Sequence, residues 1–426
     1  MQLDEMKIRQ DGLNIRIIQT KKFKTNQLVL KFKSLLSEEK VTARALLPYV
    51  LQSSTEKWPT TALFRSHLDD LYGASASVDV NKKGEYHILT FAVDIANEKY
   101  LQDNTPLTEQ ALNVLNEMVF HPLLEDGAFS RKVVESEKRT LNQKLKAVKD
   151  DKMRYASQRL VEEMCSGEAY ALHPNGIESE LEKITPEKLM EAYQQMISSD
   201  EVDLYIVGDI DSGQMEELCK EKFSIASRDN VKAIQKNIAI EDSKKIIEKQ
   251  QIKQGKLNIG YRSNTFYGDS DYLSMAVMNG ILGGFPHSKL FMNVREKESL
   301  AYYAASRLES HKGLIVIMSG VEPAKIERAE TIIEEQLEAI KNGDISDQEL
   351  SQTKAVMTNQ MLETLDSPRG IIEVLYQGET AGIPVKIQDW FDGIDRVTKE
   401  DVTEAAKKLL KDTTYILTAK EVAESA

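Results

Sequence analysis

Two stretches half a chain apart share one pattern of apolar and polar positions. In ITPEKLMEAYQQMISSDEVDLYIVGDI from Ile184, residues Leu189, Ala192, Tyr193 and Met196 follow the i, i+3, i+4, i+7 spacing of a helix with one buried stripe. In VTKEDVTEAAKKLLKDTTYILTAKE from Val397, Val402, Ala405, Ala406 and Leu409 do the same. Each stretch opens on a threonine, Thr185 or Thr398, whose hydroxyl suits a helix N-cap, and each places a glutamate, Glu187 or Glu400, in the first turn. Pro186 takes the first helical position, where no backbone donor is needed. Both helices lead into β-rich sequence, DLYIVGDI from Asp203 and TYILTA from Thr414. The repeat predicts a duplicated domain.

The first half adds alternating runs. LNIRIIQT and NQLVLKFKS predict the two strands of a hairpin, and ASASVDV and EYHILTFAVD predict another around the turn NKKGE. Helical periodicity covers residues 60–71, 108–119 and 129–164. Hairpins interrupted by helices predict an α+β chain of two homologous domains, each a largely antiparallel sheet backed by helices. The expected divisions are 1–210 for the first domain, a Lys- and Glu-rich linker over 211–254, and 255–426 for the second.

Composition narrows the function. The 426 residues hold 68 acidic and 55 basic side chains, a net charge of -13 that repels nucleic acid and anionic lipid. No apolar run approaches a membrane span, and the start of the chain lacks a signal-peptide core. The only cysteines, Cys165 and Cys219, form no metal or redox spacing, so a reduced, cytoplasmic setting is expected. The histidines are His67, His87, His121, His173, His287 and His311, none three to five residues from another, so no local metal motif exists. Core-edge or capping roles are expected for His67, His87 and His121.

Two longer motifs carry more. GGFPHSKLFMNVREKESLAYYAAS from Gly283 and HPNGIESELEKITPEKLMEAYQQMISSDEVDLYIVGDI from His173 resemble signatures of the pitrilysin-type zinc peptidases, the family of mitochondrial processing peptidase and insulysin. The chain resembles, in particular, bacterial members that lack the zinc motif. The resemblance implies two homologous domains forming half of a chamber in which peptides bind as added strands. Gly283 and Gly284 are expected to permit a tight turn, Ser288, Leu290 and Phe291 to build the next helix, and His287 to be exposed.

Active members carry H-x-x-E-H on a helix of the first domain and a later glutamate as third zinc ligand. Setting TARALLPYVLQSST against that helix places Ala45 and Tyr49 at the histidine positions and Pro48 at the general base. ESEKRTLNQKL places Lys144 at the third ligand, with Glu135 and Glu137 as neighbouring carboxylates. The resemblance therefore implies a degenerate site with no metal in this chain. A proline inside the helix removes a hydrogen bond and clashes with the preceding turn, so a kinked or shortened helix is expected.

Arg295 and Tyr302, by contrast, match the family's arginine and tyrosine, which assist the active site. A guanidinium and a phenol can both donate to a peptide carbonyl or its oxyanion. The competing account is an arginine paired to a nearby acid and a tyrosine at the core edge, with Tyr303 as the alternative phenol. The implied function is a non-catalytic subunit, inactive alone, that binds peptide and lends Arg295 and Tyr302 to a zinc-bearing paralogue. The alternatives are a stand-alone or homodimeric peptide-binding scaffold and, less favoured, a metal site assembled from scattered histidines and carboxylates.

Overall fold

The computed structural model describes residues 3–102, 105–228, 232–233 and 237–420. Its strands begin with β1 (Asp4–Gln10), β2 (Leu13–Gln19), β3 (Thr25–Leu35), β4 (Ser75–Lys83) and β5 (Tyr86–Ala96). A two-residue pair follows, β6 (Leu124–Glu125) and β7 (Ala128–Phe129), and then β8 (Glu201–Gly208). The later strands are β9 (Lys244–Gln250), β10 (Gly255–Arg262), β11 (Ala301–Glu309), β12 (Leu314–Val321) and β13 (Leu410–Ala419).

The two large sheets repeat one topology. The first runs β1-β2-β8-β3-β5-β4 and the second, from its far edge, β9-β13-β10-β12-β11. Apart from β1 the orders correspond strand for strand. Each contains one parallel join, β2 with β8 and β9 with β13, among otherwise antiparallel neighbours. The duplicated helices begin as the pattern requires: Thr185 accepts from the Lys188 amide, and Thr398 forms a capping box with Asp401.

The hairpin expected from LNIRIIQT and NQLVLKFKS does not form, because β8 lies between β2 and β3. All eight residues of β8 are buried. Such a run belongs in a sheet interior covered on both faces, and it separates strands that are neighbours in sequence. The second expected hairpin is present: β4 and β5 pair from Ser75↔Asp94 to Lys83↔Tyr86, and Gly84 supplies the positive φ of the turn. Residues 129–164 form two helices, Arg131–Asp150 and Lys152–Met164, because Asp151 turns its carboxylate to the Met153 and Arg154 amides as an N-cap.

The division at 211–254 needs correction. Helix Ser212–Lys222 buries Met215 and Cys219 in the first core, and β9 belongs to the second sheet. The compact units are interleaved along the chain. One comprises Met1–Lys146, Leu172–Ala233 and Leu365–Leu375; the other comprises Ala147–Ala171, Ile234–Thr364 and Tyr376–Ala426.

In the first unit, strand alternation sorts the side chains of β3. Leu28, Leu30 and Phe32 enter the apolar core. Gln27, Lys31 and Lys33 line the opposite face and are also buried. There Lys33 meets Glu201 at 3.1 Å, and Lys31 and Lys83 meet Glu373 at 2.7 and 3.3 Å. Arg369, Ile372 and Glu373 close a polar cavity of about 120 Å³ over this face. Among the described residues, no helix is long and apolar enough to cross a membrane.

Candidate functional site

The helix Glu38–Ser53 carries three of the four positions aligned with the family's zinc site. Ser37 stands at its N-cap in extended conformation, and Glu38 and Glu39 complement the helix dipole in the first turn. Ala45, Leu46, Leu47, Val50 and Leu51 anchor it in the first core. The helix runs on through Pro48 for its full 16 residues, so it is not shortened as expected. Tertiary burial outweighs the proline penalty here.

A buried polar cluster fixes the start of this helix. Arg44 meets Asp200 with Nη1 to Oδ1 at 2.9 Å and Nη2 to Oδ2 at 2.7 Å, while its Nε donates to His87 Nδ1 at 3.4 Å. The other His87 nitrogen lies 2.8 Å from the Pro174 carbonyl oxygen. Burial, followed by the Arg44 charge, pushes the His87 imidazole down to about 3, so it is neutral and its Nε2–H donates to Pro174. The turn HPNG is held from its other end too. The Ile177 amide donates to Thr42 Oγ1 at 3.0 Å, and Gly176, at positive φ, sits where a Cβ would be 2.6 Å from Thr42 Cα. Sequence reasoning placed His87 at a core edge; its arginine partner was detectable only through tertiary contact.

Ala45 is fully buried and Pro48 is buried beside it. Tyr49 is half-buried and meets the helix Arg131–Asp150, where Lys144 Nζ donates to Tyr49 Oη at 2.9 Å and stands 4.1 Å from the ring centroid. One turn further along, Ser53 Oγ donates to Glu137 at 2.9 Å. Glu135 turns instead to Lys138 at 3.2 Å. The structure thus joins Tyr49 to Lys144 and places Glu137, rather than Glu135, against the first helix.

These four positions do not fit a zinc ion. Ala45 and Pro48 offer no side-chain donor, and the Tyr49 oxygen is engaged by an ammonium that repels a dication.

The second unit holds the other candidate residues. Arg295 lies in a π-helical turn, Phe291–Lys297, that follows a shorter π-helical turn, Gly280–Gly284. Its guanidinium stacks on Phe291, 4.6 Å from the ring centroid, and approaches Glu296 no closer than 3.7 Å. Neither Gly283 nor Gly284 has positive φ, so the turn expected from their conformational freedom is absent. Gly283 instead permits close approach, since a Cβ there would lie 2.5 Å from the Ser306 amide of β11. His287 is half-buried, stacked on Phe285 and 2.9 Å from Thr353 Oγ1, rather than exposed.

Register shifts between Ala301 and Tyr303 where β11 meets β12, and this bulge directs the two tyrosines differently. Tyr302 is 66% exposed. The Tyr303 ring lies under Lys256, 5.4 Å from the ammonium, and burial with the Asp151 charge pushes its phenol up to about 12. No hydrogen bond joins Arg295 to Tyr302 among the described residues.

A Bacillus subtilis (strain 168) protein described as probable inactive metalloprotease YmfF is 50% identical over 421 residues, 98% of this chain and 99% of the relative. The family profile described as peptidase M16 inactive domain matches residues 183–357. The chain belongs to the peptidase M16 family. Within this pitrilysin-type family it is a member that lacks the zinc motif. Another B. subtilis (strain 168) relative, the uncharacterized zinc protease YmxG, is 24% identical over 264 residues, 60% of this chain and 61% of that one. The M16 architecture is matched by the crystal structure of a conserved protein from Enterococcus faecalis V583. Its TM-score is 0.92 at 32% identity, covering 99% of this chain and 100% of that chain.

Proposed function

We propose that this chain is the zinc-less, peptide-binding subunit of a heterodimeric metallopeptidase, lending Arg295 and Tyr302 to the active site of a zinc-bearing paralogue. The availability of those two side chains supports this reading above all. Tyr302 is 66% exposed, and the carboxylate nearest Arg295 stays beyond hydrogen-bond distance at 3.7 Å. Arg295 keeps only a long, solvent-exposed ion pair from Nε to Glu296 and makes no hydrogen bond among the described residues, whereas Tyr303 has the character of a core-edge tyrosine.

The chemistry asked of the pair is modest. Both side chains donate hydrogen bonds, and both can hold a peptide carbonyl while charge develops on its oxygen. The metal and the general base belong to the partner, because positions 45, 48, 49 and 144 supply neither. Neither cysteine forms a disulfide and both are buried, which suits the cytoplasm as the proposed compartment.

The test is to copurify the chain with a zinc-bearing M16 paralogue and assay peptide cleavage. Activity should require both chains, and Arg295→Ala or Tyr302→Phe should lower kcat at least about tenfold without changing thermal stability. Unchanged turnover in the double variant overturns the proposal. A homodimer that ignores the paralogue favours the scaffold alternative.

A further inference from the structure

The lost metal site leaves a cation behind. Lys144 is exposed, its ammonium held 2.9 Å from Tyr49 Oη and over the face of the same ring. Among the described residues, no carboxylate lies within ion-pairing distance of it, although acids outnumber bases 68 to 55 in the chain. An ammonium has three N–H donors, and the phenol engages one. The Tyr49 oxygen accepts that bond, so its own O–H remains free to donate. Two donor atoms therefore stand 2.9 Å apart: an ammonium nitrogen carrying positive charge and a phenolic oxygen.

The adjacent strand indicates the ligand. β4 is the outermost strand of the first sheet, and pairs with β5 on one side only. One turn beyond Tyr49 on the same helix, Gln52 Nε2 donates to the Ala76 carbonyl oxygen of β4 at 2.8 Å. That bond takes a main-chain acceptor at the beginning of the strand, so a peptide added along β4 stops there. A strand added antiparallel has its C-terminus beside the start of β4. The end of such a peptide arrives beside Gln52, one turn from Tyr49 on the same helix.

We infer that Lys144 and Tyr49 form a carboxylate-binding site for the free C-terminus of an extended peptide added antiparallel to β4. A cation and a phenol favour a carboxylate over a neutral carbonyl, because the carboxylate adds attraction between opposite charges to the hydrogen bonds. The inference rests on the peptide-binding reading above and adds the group recognised. Where active relatives hold a metal, this chain holds the end of a peptide chain.

The experiment uses the full-length chain and an N-terminally dansylated peptide of alternating valine and threonine, prepared as the free acid and as the C-terminal amide. Fluorescence anisotropy should show the acid binding about tenfold tighter than the amide. Lys144→Met should abolish that difference and Tyr49→Phe should reduce it, with melting curves confirming that both variants fold. Equal binding of acid and amide by the unaltered chain overturns the carboxylate site while leaving peptide binding standing. A preference for the acid that survives Lys144→Met overturns the assignment to this residue. If neither form binds, the peptide-binding reading fails and the inference fails with it.

Discussion

Arg44, buried in the second turn of the helix Glu38–Ser53, donates from Nε to His87 Nδ1 across 3.4 Å, holding a neutral imidazole against a guanidinium. The folded value of His87, about 3, lies below the ordinary 6.5. As pH falls through 6.5 the unfolded chain takes up a proton that the folded chain refuses. The stability from the neutral imidazole is therefore complete above 6.5 and lost progressively toward pH 3. Between pH 7 and pH 5 this one group should cost roughly 2 kcal/mol. Urea denaturation at the two pH values should show that loss in the unaltered protein and a smaller one in His87→Gln.

The ion pair between Arg44 and Asp200 should behave asymmetrically. Both side chains are almost completely buried. Arg44→Met strands a carboxylate in the core and should destabilise by about 3–5 kcal/mol. The double variant Arg44→Met/Asp200→Leu removes both charges and should recover much of that loss. A double variant as unstable as the sum of the singles would show that the pair contributes packing rather than charge compensation.

Neighbouring glycines give a sharper contrast. A methyl group at Gly283 meets the Ser306 amide at 2.5 Å, so the π-helical turn must move away from β11. Gly283→Ala should cost about 1–3 kcal/mol by overpacking. At Gly284 the nearest atom is Asn279 O at 3.2 Å, and Gly284→Ala should cost less than about 1 kcal/mol. Thermal melts of both variants decide whether close approach, rather than turn conformation, is what these positions require.

The two adjacent tyrosines should also separate. Tyr303 Oη is buried without a hydrogen-bond partner among the described residues. Tyr303→Phe should therefore leave stability unchanged or raise it by about 1 kcal/mol. Tyr302→Phe, on an exposed side chain, should stay within about 0.5 kcal/mol. If only Tyr302→Phe lowers the activity of the proposed pair, the bulge at Ala301–Tyr303 has sorted a functional phenol from a structural one.

The duplicated fold was legible because its signal is local: a capping threonine, a helical stripe and a strand, written twice. Pairing was less legible. The alternation in β2 and β3 identifies strands but does not show that β8, from nearly two hundred residues later, lies between them. The helix Ser212–Lys222 was not assigned to the first core, since only Met215 and Cys219 among its 11 residues are buried and its surface resembles a linker. At the candidate site, the resemblance supplied positions 49 and 144, but the contact between them is a tertiary fact. Arg44 lay one residue from the aligned histidine position and carried no motif, so only its buried partners reveal it.

The interleaving of the two units bears on how the molecule can be made and taken apart. Lys31 is buried, and burial lowers its pKa despite a 2.7 Å contact with Glu373, a residue more than three hundred positions downstream in the same unit. A fragment ending before Leu365 would retain that lysine on the face of its sheet but lose the carboxylate and the cover supplied by Arg369 and Ile372. Nascent chain leaving the ribosome passes through the same state. The strands of the first sheet are complete by Gly208, but the cover of one face is supplied only when synthesis is nearly complete, so a cut between the halves parts that unit from a segment that belongs to it.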